Sequence, residues 1–156
     1  MSRTKLDLDD RMAITDLLAA YCHAMDAARA DLCIRLFAEK AVLETPVGHA
    51  AGRAAILAWI EGRLALRPSG FQVGHYLLNP LFARTGATRA RVRSMLLYTR
   101  QSLEENGRGE LLSTGIYEDE VERSSDGWRF TRRCWQLRTP LDDVYFESSL
   151  PGAARD

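Results

Sequence analysis

Two β-rich runs late in the chain, joined by the reversal Ser124-Ser125-Asp126-Gly127, constrain the fold more than any other feature. They extend from Leu111 to Leu137. Gly127 suits the positive φ that a tight reversal needs. Period-two reading puts Tyr117, Asp119 and Val121 on one face of the first run. The second alternates Trp128, Phe130, Arg132 and Cys134 against Arg129, Thr131, Arg133 and Trp135. A lone hairpin is marginal in water, so the rest of the chain must supply more strands and a helical cover.

The upstream sequence offers both. Apolar residues recur at helical spacing from Met12 to Ala28, at Ile14, Leu17, Leu18, Tyr21, Cys22 and Met25, behind the carboxylates Asp7, Asp9 and Asp10 that suit a helix start. A short helix is expected over Ala30–Ala38, a strand over Ala41–Thr45 stopped by Pro46 and Gly48, and a third helix over Arg53–Leu66. Strands are expected over His75–Arg84 and Arg89–Gln101. Pro80 implies a bulge or an edge in the first of them. Arg89, Arg91 and Arg93 share one strand face, which suits a solvated surface or a subunit interface. Residues 140–156 show no periodicity. Helices first and antiparallel strands last predict an α+β fold, helices on one side of a curved sheet. At 156 residues the chain reads as one domain, with a core over about 9–140 and a tail from 141.

Composition narrows the function. The 21 basic residues balance 21 acidic ones, which argues against a nucleic-acid binder. Cys22, Cys33 and Cys134 are widely spaced and form no CxxC pair, which suits a reduced, cytoplasmic protein. No run is long and apolar enough to predict a membrane span. His23 and Asp26 have a helical spacing that metal sites use, but only His49 offers itself as a further ligand, and no metal is expected. The glycines at 107 and 109 belong to a hairpin loop rather than a phosphate-binding one.

The order helix, helix, strand, helix and meander resembles the SnoaL-like branch of the NTF2-like superfamily. The likeness rests on Tyr21 with Asp26, on LFAEKAVLE (Leu36 to Glu44), on Gly52 before the third helix, on His75 heading HYLLN, and on GIYEDEVERSSDGWRFTRR (Gly115 to Arg133). It implies a cone: three N-terminal helices on a strongly curved antiparallel or mixed sheet enclosing a pocket, in a homo-oligomer, dimer or trimer. Within the branch the chain looks most like the group of hexachlorocyclohexane dehydrochlorinase, bile-acid 7α-dehydratase and scytalone dehydratase. That group implies a catalytic His75–Asp26 dyad, Arg133 holding negative charge, and Tyr21 as a polar helper. It also implies an apolar pocket for a hydrophobic small molecule, to which Tyr98, Tyr117, Trp59 and Met25 are assigned. The chain departs from the bile-acid dehydratase at Leu96 and Tyr98, where no carboxylate is offered.

The chemistry of these residues is consistent with that expectation. A neutral imidazole, with an ordinary pKa near ~6.5, takes protons near neutral pH. A carboxylate on one ring nitrogen fixes the tautomer and stabilises the imidazolium. The expected reaction is a cofactor-independent β-elimination or double-bond isomerisation on an apolar cyclic molecule. On residue types alone, Asp26 is equally a helix-end cap or a partner of Arg29, and His75 a structural histidine. A non-catalytic binding module, akin to the small subunit of ring-hydroxylating dioxygenases, is the alternative, and a polyketide cyclase a weaker one.

Overall fold

The computed structural model describes residues 5–104 and 106–145. Helix α1 (Leu8–Asp26) starts where Asp7 accepts a hydrogen bond from the Asp10 amide at 2.7 Å. Its buried stripe holds Ile14, Leu17, Leu18, Tyr21, Cys22 and Met25, as the periodicity predicts. Helix α2 (Ala30–Cys33) is a single turn that passes through a 3-10 turn, Ile34–Leu36, into strand β1 (Phe37–Thr45). The expected second helix is therefore shorter than the sequence implies. Phe37 is fully buried in the sheet opposite Phe130, and that burial outweighs the local helical spacing.

Pro46 and Val47 do not end the sheet; they turn it. Strand β2 (Gly48–Ala51) pairs back antiparallel onto β1, an element the sequence reading did not anticipate. Helix α3 (Arg53–Ala65) follows, then β3 (Phe71–Arg84), β4 (Arg89–Ser102), β5 (Gly109–Ser124) and β6 (Gly127–Gln136). The strands form one six-stranded sheet in the order β2-β1-β6-β5-β4-β3, and only the β1–β6 pairing is parallel. The architecture is α+β: three helices packed on a curved, mixed, open sheet. β3 is an edge strand, and its register with β4 shifts between Leu78 and Leu81, where Asn79 has φ 51°. Pro80 thus lies both in a bulge and on an edge, where its missing N–H costs no ladder bond.

A second irregularity decides which side chains of β6 reach the interior. Glu120 pairs with Arg132 but Val121 pairs with Phe130, leaving Thr131 as the extra residue of a bulge. The strict alternation expected from sequence puts Phe130 and Arg133 on opposite faces. The bulge resets the phase, and Trp128, Phe130 and Arg133 are all buried, while Arg132 turns outward to pair with Glu44 at 2.5 Å.

The basic row on β4 is neither bare surface nor unpaired. Arg89 pairs with Glu122, Arg91 with Asp142, and Arg93 with Glu118. Arg93 also donates to Thr139 Oγ1 at 2.6 Å and to the Pro140 carbonyl at 3.0 Å. Tyr145, fully buried, donates to Glu118 Oε2 at 2.6 Å. The start of the tail is thereby fastened to the sheet; residues 146–156 of the expected tail lie outside the described ones.

Asp10 ties α1 to the far side of the sheet. Its buried carboxylate accepts from Arg123 at 2.8 Å, Trp128 Nε1 at 3.1 Å and Arg84 at 3.3 Å. Asp10→Ala strands an indole N–H and two guanidinium groups at once. It is expected to cost about 2–4 kcal/mol, read as a lower urea midpoint at unchanged slope.

Candidate functional site

A cavity of about 200 Å3 opens between α1, α3 and the inner faces of the sheet strands. Its walls are mainly apolar and aromatic. Tyr21, Met25, Trp59, Tyr98 and Tyr117, each singled out from sequence, all line it, and His75 enters from β3. Trp59 and Trp135 lie close against glycine backbone. A Cβ on Gly48 would collide with the Trp59 indole, and one on Gly115 with that of Trp135, so both glycines make room for cavity walls. Among the described residues, no acidic side chain lines this cavity.

Asp26 is the last residue of α1, and His75 lies on the β3 edge strand that packs beside it. Asp26 Oδ1 is 2.5 Å from His75 Nδ1, and Asp26 Oδ2 accepts from the His75 backbone N–H at 3.0 Å. One carboxylate thus grips both the ring and the main chain of the same residue. A carboxylate that accepts at Nδ1 requires the proton there, so in the neutral imidazole Nε2 is the atom with the lone pair. Both side chains are mostly shielded from solvent, 12% exposed for His75 and 21% for Asp26. The Tyr98 ring lies 4.6 Å from the imidazole, centroid to centroid, and supports it from β4.

A carboxylate at a helix C-terminus faces the negative end of the peptide dipoles, a position local rules disfavour. The surroundings offset this. Arg67, just beyond α3, donates to the Met25 carbonyl at 2.6 Å and to that of Asp26 at 3.4 Å. Gln72 Nε2 adds a contact to the Asp26 carbonyl at 3.4 Å. The simpler fate considered for Asp26, pairing with Arg29, does not occur: Arg29 pairs with Asp31 at 2.6 Å.

Arg133 faces inward but does not reach the cavity surface. Its guanidinium is fully buried, with its carbon 3.9 Å from the Tyr21 ring centroid, 3.8 Å from that of Tyr117 and 4.6 Å from that of Phe130. Asp119, equally buried, is its ion-pair partner at 3.0 Å. Arg133, expected from the family likeness to hold negative charge, is not among the residues that line the cavity, whereas Tyr21 and Tyr117, stacked on it, are. Burial pushes both phenols up in pKa, Tyr21 well above its ordinary value, despite the pull of Arg133. Both stay protonated near neutral pH and can donate.

Sequence reasoning missed Trp135, Arg63 and Arg67 as cavity walls. The only advance signal for the two arginines was their place at the end of a predicted helix. Cys22, Cys33 and Cys134 are all buried free thiols, and burial raises Cys22 to about 11 and Cys33 to about 12. Such thiols are poor nucleophiles at neutral pH. Among the described residues no group of three or more His, Cys, Asp or Glu side chains is placed to hold a metal ion, and no helix is long and apolar enough to cross a membrane.

The SnoaL-like domain profile matches residues 6–134. Among solved structures the chain is similar to a provisionally named aromatic ring hydroxylase from Novosphingobium aromaticivorans, at 30% identity over 88% of this chain and 95% of that one, with a TM-score of 0.71. It is similar to a provisionally named scytalone dehydratase from the same organism, at 25% identity over 85% and 86%, with a TM-score of 0.71. An NTF2-like protein with a cystatin-like fold, also from that organism, aligns at 25% identity over 88% and 87%, with a TM-score of 0.72. Proteins of curated function give no match.

Proposed function

This chain belongs to the SnoaL-like domain family, and from that premise we propose that it is a cofactor-independent lyase or isomerase acting on a small molecule with an apolar ring. Its fold is the NTF2-like, cystatin-like one. The observation that carries the proposal is the double hold of Asp26 on His75, a histidine that lines a mainly apolar and aromatic cavity. A structural histidine does not need its tautomer set beside an open cavity; a general base does.

In the proposed reaction His75 Nε2 removes a proton from a ring carbon. The C–H electron pair becomes a C=C bond as the bond to a β-hydroxyl or β-halide breaks. A leaving hydroxide takes its proton from a phenol of Tyr21, Tyr98 or Tyr117, which the imidazolium then restores. A leaving halide needs none. For isomerisation the imidazolium returns the proton to another carbon. Asp26 stabilises the imidazolium throughout. Arg133, stacked on two phenol rings, makes them stronger donors and holds them in place.

Two neighbours support the substrate class by their names, one an aromatic ring hydroxylase and one a scytalone dehydratase. The first also keeps open a binding or accessory role for this chain in ring hydroxylation. The test separates the readings. Hydroxy- and halo-substituted cyclic compounds are screened for alkene formation and for solvent deuterium uptake at carbon. His75→Ala is expected to lower kcat on any substrate found by about 10²–10⁴-fold. Turnover that survives His75→Ala overturns His75 as the base, and no turnover by the native protein on any of these compounds leaves the binding reading.

A further inference from the structure

The cavity carries a charge imbalance that the elimination chemistry does not use. Three arginines line it, Arg63, Arg67 and Arg100, and among the described residues no Asp or Glu does. Arg100 is neutralised from outside by Glu110 and stacks 4.5 Å over the Phe71 ring. Arg63 and Arg67 have no carboxylate partner among the described residues. Arg67 spends one N–H group on the carbonyls of Met25 and Asp26, and so sits at the Asp26–His75 end of the cavity. Its guanidinium has five N–H donors in a planar fork.

Arg63 is in the last turn of α3, and Arg67 lies just past its C-cap, Leu66. Both line the same cavity, so two cations border one space. They also stand where the fold gains only a partial return: one capping hydrogen-bond set from Arg67, and none from Arg63. Cations lining a cavity that has no acid among its described walls point to an anionic ligand.

From this we infer that the cavity selects substrates bearing a carboxylate or similar anion, which Arg63 and Arg67 hold at the rim while the ring lies inside against Tyr98, Trp59 and Trp135. The inference rests on the lyase reading only in placing the reacting carbon beside His75; the anion preference stands on the arginines alone. Size agrees: a cavity of about 200 Å3 exceeds the ~150 Å3 that accepts one benzene ring, leaving little room for more than a small ring system.

The probe pair is 2-naphthoate and 2-naphthamide, which share shape and differ in charge. Binding is read at pH 8 by calorimetry and by quenching of tryptophan fluorescence. The expected result is naphthoate binding about tenfold tighter or more at low salt, with the advantage shrinking as NaCl approaches about 1 M. Arg63→Gln with Arg67→Gln should erase the advantage and leave naphthamide affinity unchanged. Arg67→Lys, which keeps the charge, should retain most of it, guarding against a mere loss of the helix cap. Equal affinity for acid and amide, binding of neither, or an advantage that survives the double glutamine variant overturns the inference. His75→Gln distinguishes the two proposals. Naphthoate preference that persists in it, in a protein without His75-dependent turnover, keeps the anion site and discards the lyase.

Discussion

Asp119→Leu is expected to cost the fold about 3–5 kcal/mol, more than Arg133→Met costs, and the double replacement less than Asp119→Leu alone. The asymmetry follows from what each partner can do when left behind. Both groups are fully buried and joined by one hydrogen bond of 3.0 Å, with Asp119 Oδ1 and Arg133 Nε and Nη2 finding no partner among the described residues. Burial pushes the Asp119 carboxyl up to about 7, with Arg133 pulling the other way. Stripped of Arg133, the carboxyl takes up a proton and becomes a neutral buried acid. Arg133 has no such escape, because a guanidinium stays charged. Three aromatic rings support it, but they do not replace an ion partner.

The same pair sets a pH slope. The folded-state pKa of Asp119 lies above its ordinary 3.8. The stability it contributes is therefore full below about 3.8 and is lost as pH rises through about 7. Asp119→Asn should flatten that part of the stability profile in urea titrations at successive pH values. An unchanged slope, or Arg133→Met proving the costlier single change, would sink this account.

The parts of this fold legible in the sequence were those with strong local signals. α1 has a capping carboxylate and an unbroken apolar stripe, and its expected buried face is the observed one. The edge position of β3 was readable from Pro80 alone. What was not legible depends on pairing partners distant in sequence. β2 exists because Ala50 finds a buried place opposite Leu43, and nothing in Gly48-His49-Ala50-Ala51 announces that. The bulge at Thr131 arises where β6 meets β5, yet it decides that Phe130 and Arg133 share the interior. The site shows the same division. His75 and Asp26, forty-nine residues apart, were linked through family likeness and not through spacing. Arg63 and Arg67 read from sequence only as cations at the end of a helix, which is ordinary; the cavity beside them gives them meaning.

Asp26→Asn should abolish catalysis almost as fully as loss of His75 itself, by about 10²–10⁴-fold in kcat, while leaving the fold nearly as stable. The argument is one of hydrogen-bond inventory. Asp26 accepts from two donors of the same residue, the His75 main-chain N–H at 3.0 Å and the ring Nδ1 at 2.5 Å. An asparagine has one acceptor and one donor end. With its oxygen toward the ring, its NH2 would face the His75 amide, donor against donor. With its oxygen toward the amide, its NH2 meets the ring, and both bonds form only if Nδ1 is bare. The second arrangement wins, and the ring proton moves to Nε2, the atom that takes the substrate's proton in the proposed reaction. The readout that isolates this is the nitrogen NMR spectrum of the His75 imidazole: proton on Nδ1 in the native protein, on Nε2 in Asp26→Asn. The same tautomer in both, or full activity with the proton moved, would show that Asp26 holds His75 for the sake of the fold and not of a reaction.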